Sequence, residues 1–442
     1  MCGIFLTNKT NLNNNYDYLL KSRGPDHLEA RKFGNYFLKH SLLSMTGEFT
    51  QQPIVKNHIT LLFNGEIYNY RESVNHKSDA YKIIECYEEF GIEFLNQLDG
   101  EFAIILIDDI NNQIIFSTDI FGIKPLYYSF ERETISLASY RELLLDIGCQ
   151  NIFKCKPNTL YILGLNEMKL DEITNIFKFD LNQKKNNFDD WNNAFIDSLK
   201  KRFTNTKFEI ILPLSSGHDS GAISCGLNLL NIVHNTFSYF GNEDTDVLNK
   251  RLEITKKSTS KTYKKENLND NEKDVAERYL LENCSQFFYG PDLNSENING
   301  FKDPGALGLT HLLNLVKSKN ENIRILASGQ GGDEIMTNIQ SYNFGKSNPK
   351  RFPRNLSKVF PWQNFFYGSQ SSYLGKEENI TGSFSIEGRY PLLDKKVVQE
   401  YLWLNTRLKN KTFKSPLSNF MKENNYPYLV GKPEKIKRGF YV

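Results

Sequence analysis

Residues Phe208–Leu214 run into Ser215, Ser216, Gly217, His218, Asp219 and Ser220, and these into the apolar stretch Ala222–Leu230. A short β-branched run, a loop of small residues and a longer apolar run predict strand, tight turn and helix in that order. At such a junction small residues let backbone N–H groups approach phosphate oxygens, and the helix N-terminus adds a favourable dipole. Ile323–Ala327, followed by the loop Ser328–Glu334, repeats the strand-to-loop pattern. Strands alternating with helices predict a parallel sheet, with ligands in the crevice at the strands' carboxyl ends. The loop has no Gly-Lys-Ser/Thr ending, so it is not of the Walker type.

Upstream the texture differs. Residues 1–180 read as β-rich, with Thr60–Phe63, Phe102–Ile107 and Gln113–Ser117 as short strands. Between them, Asp79–Phe90 has helical spacing, with Tyr81, Ile84 and Tyr87 on one face. Residues 182–188 are polar and aperiodic and read as a linker. Asp189 or Asp190 then caps a helix whose inner face is Trp191, Phe195, Leu199 and Phe203. The polar stretch Lys256–Lys273 reads as a surface excursion, and His218 as a solvated loop residue. At 442 residues the chain is too long for one ordinary core. Two domains are expected, at 1–181 and 189–442.

Bulk properties narrow the function class. The 54 basic residues nearly cancel the 52 acidic ones, and a net charge of +2 gives no electrostatic reason to expect nucleic acid or an anionic membrane. No apolar run approaches the ~18 residues of a membrane span. The N-terminus lacks the basic flank and apolar core of a signal peptide. Six cysteines without a Cys-x-x-Cys pair suit a reducing cytoplasm rather than a disulfide framework or a zinc site.

With the initiator Met removed, Cys2 carries a free α-amine. An α-amine titrates near ~8 and a thiol near ~8.5, so the amine can serve as base for its own side chain. Four ordered stretches accompany it: Met1–Phe5, Ser22–Asp26, Phe63–Asn69 and Thr118–Tyr128. Together they resemble the class II glutamine amidotransferase domain, whose α+β N-terminal-nucleophile (αββα) fold is then expected. The resemblance implies Cys2 as nucleophile, with the Asn64 side chain and the Gly65 backbone N–H holding the oxyanion. It implies a glutamine site built from positions 42, 44, 64, 65, 66 and 79, occupied here by Leu42, Ser44, Asn64, Gly65, Glu66 and Asp79. Asp79 would take the α-amine. Relatives carry an arginine for the glutamine carboxylate where this chain has Leu42, and losing such a bond costs about 1.5–3 kcal/mol.

Leu214–Ser220 resembles the Ser-Gly-Gly-x-Asp-Ser pyrophosphate loop of enzymes that split ATP to AMP and pyrophosphate, with Ser216 replacing the first glycine. Thr236–Tyr239 resembles the strand that meets adenine, and Ser328–Glu334 and Ser385–Asp394 resemble asparagine synthetase signatures. The whole chain thus resembles the glutamine-hydrolysing asparagine synthetase family, with an α/β parallel-sheet ATP-pyrophosphatase domain second. The resemblance implies an ATP site of Leu214, Ser215, Ser216, Gly217, Asp219, Ser220, Tyr239, Ser328, Gly329 and Lys437. It implies Mg²⁺ on Asp219 and Asp333, and a homodimer. Gln330 occupies the acyl-adenylate position, where asparagine synthetase itself usually has glutamate, and Thr337, Asn338 and Ile339 replace the usual Gly-Gly-Tyr.

Three readings stay open. In the first, glutamine, ATP and aspartate give asparagine. In the second, another carboxylate such as a sugar acid is amidated. In the third, the chain is a binding or regulatory relative with an impaired glutaminase.

Overall fold

The computed structural model describes residues 1–10, 12, 14–72, 78–241, 243–256, 259–294, 298–319, 322–337 and 351–431. Two compact units emerge, dividing the main chain at residue 178. The first holds residues 1–178 with the short segments 283–285 and 381–386, and the second holds the remainder.

The first unit is four-layered. One sheet contains β1 (Gly3–Thr7), β2 (His27–Phe33), β3 (Tyr36–Leu42), β8 (Tyr127–Glu131), β9 (Thr134–Ala138) and β10 (Phe153–Lys154), in the order β10-β8-β9-β1-β3-β2. The other contains β4 (Ile54–Lys56), β5 (Ile59–Ile67), β6 (Gly100–Asp108), β7 (Gln113–Thr118), β11 (Thr159–Gly164) and β12 (Lys169–Thr174), in the order β12-β11-β7-β6-β5-β4. Strand alternation gives each central strand two apolar faces, so both faces must be covered. Ile4, Leu6 and Leu38 of the first sheet meet Leu62, Ile105 and Phe116 of the second in the central core. The outer face of the first sheet is covered by helices α1 (Asp17–Arg23) and α3 (Arg141–Asp146). The outer face of the second packs on α2 (Ala80–Phe90). In α2 the inner face is Ile83, Ile84 and Tyr87, with Tyr81 only partly buried.

The second unit opens on α4 (Asp189–Phe203), whose Trp191, Phe195, Leu199 and Phe203 are buried as their spacing predicts. Phe188 is the N-cap, and Asp189 and Asp190 lie in the first turn rather than capping it. There they favour the helix through its dipole alone. The expected linker at 182–188 is tied into this unit. Lys185 bridges to Leu404, and its Nζ reaches Asp190 at 2.6 Å and also Glu400.

Behind α4 lies a five-stranded parallel sheet of β13 (Glu209–Pro213), β14 (His234–Tyr239), β15 (Thr259–Lys265), β18 (Ile323–Ala327) and β19 (Glu387–Arg389); β16 (Phe288–Tyr289) and β17 (Ile298–Asn299) form a separate antiparallel pair. The order β15-β14-β13-β18-β19 reverses direction at β13, so the crevice beyond the carboxyl ends of β13 and β18 is a topological switch point. The stretch Lys256–Lys273 departs from its reading as an excursion, because it contains the edge strand β15. Its lysines and threonines hide the strand signal, and polar side chains are what an unpaired sheet edge tolerates. Among the described residues no helix is long and apolar enough to cross a membrane.

Candidate functional site

In the first unit, Cys2 precedes β1 and is buried. Its backbone N–H donates to Asn64 Oδ1 at 2.9 Å, and its carbonyl accepts from Arg23 Nε at 2.8 Å. Arg23 also reaches the Tyr140 hydroxyl at 3.1 Å and the Met1 sulfur at 3.1 Å. Because Asn64 Oδ1 is turned to Cys2, its Nδ2 is left buried and without a hydrogen-bond partner. A buried amide donor with nothing to donate to costs free energy unless a ligand oxygen fills the place. Next to it, Gly65 adopts φ +141°, and a Cβ there would lie 2.0 Å from the Glu101 carbonyl oxygen. Only glycine fits.

The flanking motifs hold this centre. A Cβ on Gly24 would lie 2.4 Å from Ser41, so this glycine lets the loop after α1 lie against the end of β3. Ser41 Oγ accepts the Gly3 N–H at 3.0 Å, and the Asp26 carboxylate accepts the Ser44 N–H at 2.9 Å. Asp119 accepts N–H groups from Phe102, Phe121, Ile123 and Lys124, fastening its loop to β6.

Of the positions the resemblance assigns to glutamine, Asn64, Gly65 and Glu66 follow one another on β5. Glu66 accepts a hydrogen bond from Thr46 Oγ1. Asp79 accepts from the Ile67 N–H at 3.0 Å, which brings its carboxylate back to the end of β5. Leu42 is buried at the end of β3, opposite His27 in register.

In the second unit, a cavity of about 230 Å³ opens at the switch point. Ser215, Gly217, Asp219 and Ser220 line it from the loop after β13, and Ser328, Gly329, Gln330 and Asp333 from the loop after β18. Leu214, Ser216 and Tyr239 are not among its lining residues. Ser216 instead donates its N–H to Glu243 at 2.6 Å and its hydroxyl to the same carboxylate, and the Tyr239 hydroxyl donates to the Gly308 carbonyl at 3.1 Å. Lys437, Asn338 and Ile339 lie outside the described residues.

The loop after β13 is fixed from behind. Ser215 Oγ accepts the Gly217 N–H at 3.1 Å, and Arg251 Nη1 donates to the carbonyls of Ser215 and Gly217 at 2.5 and 2.8 Å. His218 contradicts its reading as a solvated residue. It is buried, with ring contacts to Phe413 and Tyr428. Burial first, then the Lys414 and Arg251 charges, pull its pKa down to about 3, so it is neutral.

Asp219 and Asp333 come together on one ammonium. Lys414 Nζ lies 2.5 Å from Asp219 Oδ2 and 3.0 Å from Asp333 Oδ1. Burial alone would lower the Lys414 pKa, but the two carboxylates outweigh it and raise it. The loop after β18 can lie this close because Gly332 has no side chain: a Cβ there would sit 2.1 Å from Asp219 Oδ1. Among the described residues no group of three or more His, Cys, Asp or Glu is placed to hold a metal. Two converging carboxylates still suit Mg²⁺, which keeps waters and takes phosphate oxygens for the rest of its shell.

Lys414, Arg251 and Glu377 were missed by sequence reasoning. Lys414 follows Phe413 in an aperiodic turn at φ +44°, 195 residues from its partner Asp219. Glu377 lies in a polar helix whose sequence has no one-sided pattern. Arg251 packs so close to Gly221 that a Cβ there would meet its guanidinium at 2.4 Å, a contact that forms only in the folded chain.

The glutamine amidotransferase domain family matches residues 1–168. A putative glutamine-hydrolysing asparagine synthetase 1 of Methanocaldococcus jannaschii is 26% identical over 406 residues, 85% of this chain and 70% of its own. Glutamine-hydrolysing asparagine synthetase 2 of Bacillus subtilis is 23% identical over 527 residues, 93% of this chain and 68% of its own. The glutamine-hydrolysing asparagine synthetase of Asparagus officinalis is 34% identical over 154 residues, but the match spans only 26% of that protein. Residues 1–168 therefore match the glutamine amidotransferase domain family, and over most of its length the chain is similar to glutamine-hydrolysing asparagine synthetases.

Proposed function

We propose that this chain transfers the amide nitrogen of glutamine to the side-chain carboxylate of aspartate, cleaving ATP to AMP and pyrophosphate. The observation that carries the reading is the convergence of Asp219 and Asp333 at a cavity between two strand-to-loop turns, the second unit being read as the ATP-pyrophosphatase domain.

At the first centre, loss of Met1 leaves the Cys2 nitrogen as an amine beside Asn64 Oδ1 and within reach of its own thiol. The thiolate attacks the glutamine amide carbon, and the oxyanion is received by Asn64 Nδ2 and the Gly65 N–H. Removing one such donor typically costs ~10²–10³ in rate. Asp79 and Glu66 supply negative charge for the α-amine. Ammonia and a thioester result, and water releases glutamate.

At the second centre the N-terminus of the helix His218–Leu229, whose Asp219 and Ser220 line the cavity, receives phosphate oxygens. Mg²⁺, when bound, would be held by Asp219 and Asp333 and would supply counter-charge to the pyrophosphate. Lys414 gives those carboxylates a cation of the protein's own. The aspartate carboxylate attacks the α-phosphorus of ATP, pyrophosphate leaves, and ammonia displaces AMP from the acyl adenylate.

The test is formation of AMP and asparagine from ATP, aspartate and glutamine, repeated with ammonium in place of glutamine. AMP formed with a uronic acid but not with aspartate would replace this reading with the second one, which Gln330 favours.

A further inference from the structure

Glutamine at position 330 has no proton-accepting group to offer the reaction, yet a half-buried carboxylate stands against it. Glu377, on the helix Gly368–Ser383, lines the same cavity as Ser328 and Gln330. Its Oε1 accepts from Gln330 Nε2 at 3.0 Å, and its Oε2 accepts from Ser328 Oγ at 2.5 Å. The Gln330 N–H in turn donates to Ser328 Oγ at 3.1 Å, so the loop after β18 and the carboxylate form one network. Both donors come from the loop that carries Asp333, which ties Glu377 to the reaction cavity rather than to the hydrophobic core.

We propose that Glu377 is the catalytic base of the amide-forming step, the proton-accepting role having moved from position 330 to the carboxylate that Gln330 and Ser328 hold at the cavity wall. The proposal rests on the acyl-adenylate reading above. In the step, the ammonia lone pair attacks the adenylated carboxyl carbon and a C–N bond forms. One proton passes from that nitrogen to Glu377. The C–O bond to AMP breaks, and AMP leaves with the electron pair. The products are the amide, AMP and protonated Glu377, which returns its proton to solvent. No further reactant is needed.

The surroundings suit a base that must be ionised at rest and take a proton in the transition state. Burial raises the Glu377 pKa, while the Ser328 and Gln330 hydrogen bonds and the Lys376 charge lower it and the Glu378 charge raises it. Tyr373 and Lys376 face the cavity from the same helix; Asp303, Asp219, Asp333 and Glu334 face it from other elements. Lys376 is paired with Asp303 at 3.4 Å, so the cavity's acidic excess is only partly offset. A raised carboxylate pKa moves the base toward the neutral range, where general-base catalysis is most effective.

The experiment separates adenylation from amide formation. Aspartate-dependent exchange of labelled pyrophosphate into ATP reads the first, and asparagine formed from ammonium reads the second. Glu377→Gln is expected to retain exchange within about threefold and to lose ~10²–10⁴ in asparagine formation. The acid limb of the kcat–pH profile should disappear with it, whereas Glu377→Asp should keep that limb at a reduced rate. The double variant Q330E/E377Q, which returns a carboxylate to position 330, should regain at least ~10-fold over E377Q. Equal loss of both activities in E377Q and E377D, or an E377Q that makes asparagine at the normal rate, would overturn the proposal. Wild-type protein without aspartate-dependent exchange would refute the acyl-adenylate reading itself, and this inference with it.

Discussion

Asn64 Oδ1 accepts the backbone N–H of Cys2 at 2.9 Å, and that single bond orients the rest of the asparagine amide. The Nδ2 group is thereby buried without a partner beside Cys2. Substituting the donor should therefore damage glutamine use specifically. Asn64→Ala is expected to lower glutaminase kcat by ~10²–10³, with ammonium-dependent synthesis unchanged. Comparing glutamate release with ammonium-driven AMP formation checks both halves.

Lys414 neutralises two carboxylates at once, so removing it leaves uncompensated negative charge in a partly buried place. Breaking a buried pair costs about 3–5 kcal/mol, and the partial exposure of Asp219 and Asp333 should bring Lys414→Met below that range. A divalent cation can substitute for the lost charge. Thermal melting should show a larger stabilisation by Mg²⁺ in Lys414→Met than in the wild type. Equal Mg²⁺ shifts in the two proteins would contradict the role assigned to this lysine.

Asp394 is fully buried against Arg202 at 2.8 Å and against Lys201, and its other oxygen caps the following helix by accepting the Lys396 N–H at 2.9 Å. Burial would raise its pKa, but the Lys201 and Arg202 charges outweigh it and hold the carboxyl well below the usual carboxylate range. A depressed folded-state pKa means stability that is present above the ordinary value near ~4 and is lost as pH falls through the folded value. Asp394→Asn is expected to cost about 3–5 kcal/mol at pH 7 and to flatten the acid side of a stability–pH curve. Urea unfolding at several pH values measures both effects.

Gly332 lies so close to Asp219 that a methyl group cannot be added without moving one of the two loops. Overpacking of this kind costs about 1–3 kcal/mol, and here it displaces the carboxylate pair. Gly332→Ala should depress AMP formation by at least ~10-fold while leaving glutaminase activity intact.

The two sites were legible in the sequence to different degrees. Strands β5, β6 and β7 could be read because their β-branched and aromatic runs are bounded by turn-forming residues, and the inner face of α4 because its helical spacing marks its buried side. The loops after β13 and β18 were legible because small residues between a strand and a helix leave few alternatives. Residues joined by tertiary contact alone left no such mark. Lys414, Arg251 and Glu377 come from an aperiodic turn and two polar helices, and their roles depend on contacts made after the sheet has assembled. His218 was misread for the complementary reason. A polar residue in a Ser/Gly loop suggests solvent, but Phe413 and Tyr428 arrive from far along the chain to cover it.

The central claim is that two chemistries in one chain together make an amide, and one assay tests it most directly. Wild-type and Cys2→Ala proteins are each given Mg²⁺-ATP and aspartate, with either glutamine or ammonium as nitrogen source, and asparagine and AMP are measured. Equimolar asparagine and AMP are predicted for the wild type with both sources, and for Cys2→Ala with ammonium alone. If the wild type makes no AMP from aspartate with either source, aspartate amidation is contradicted.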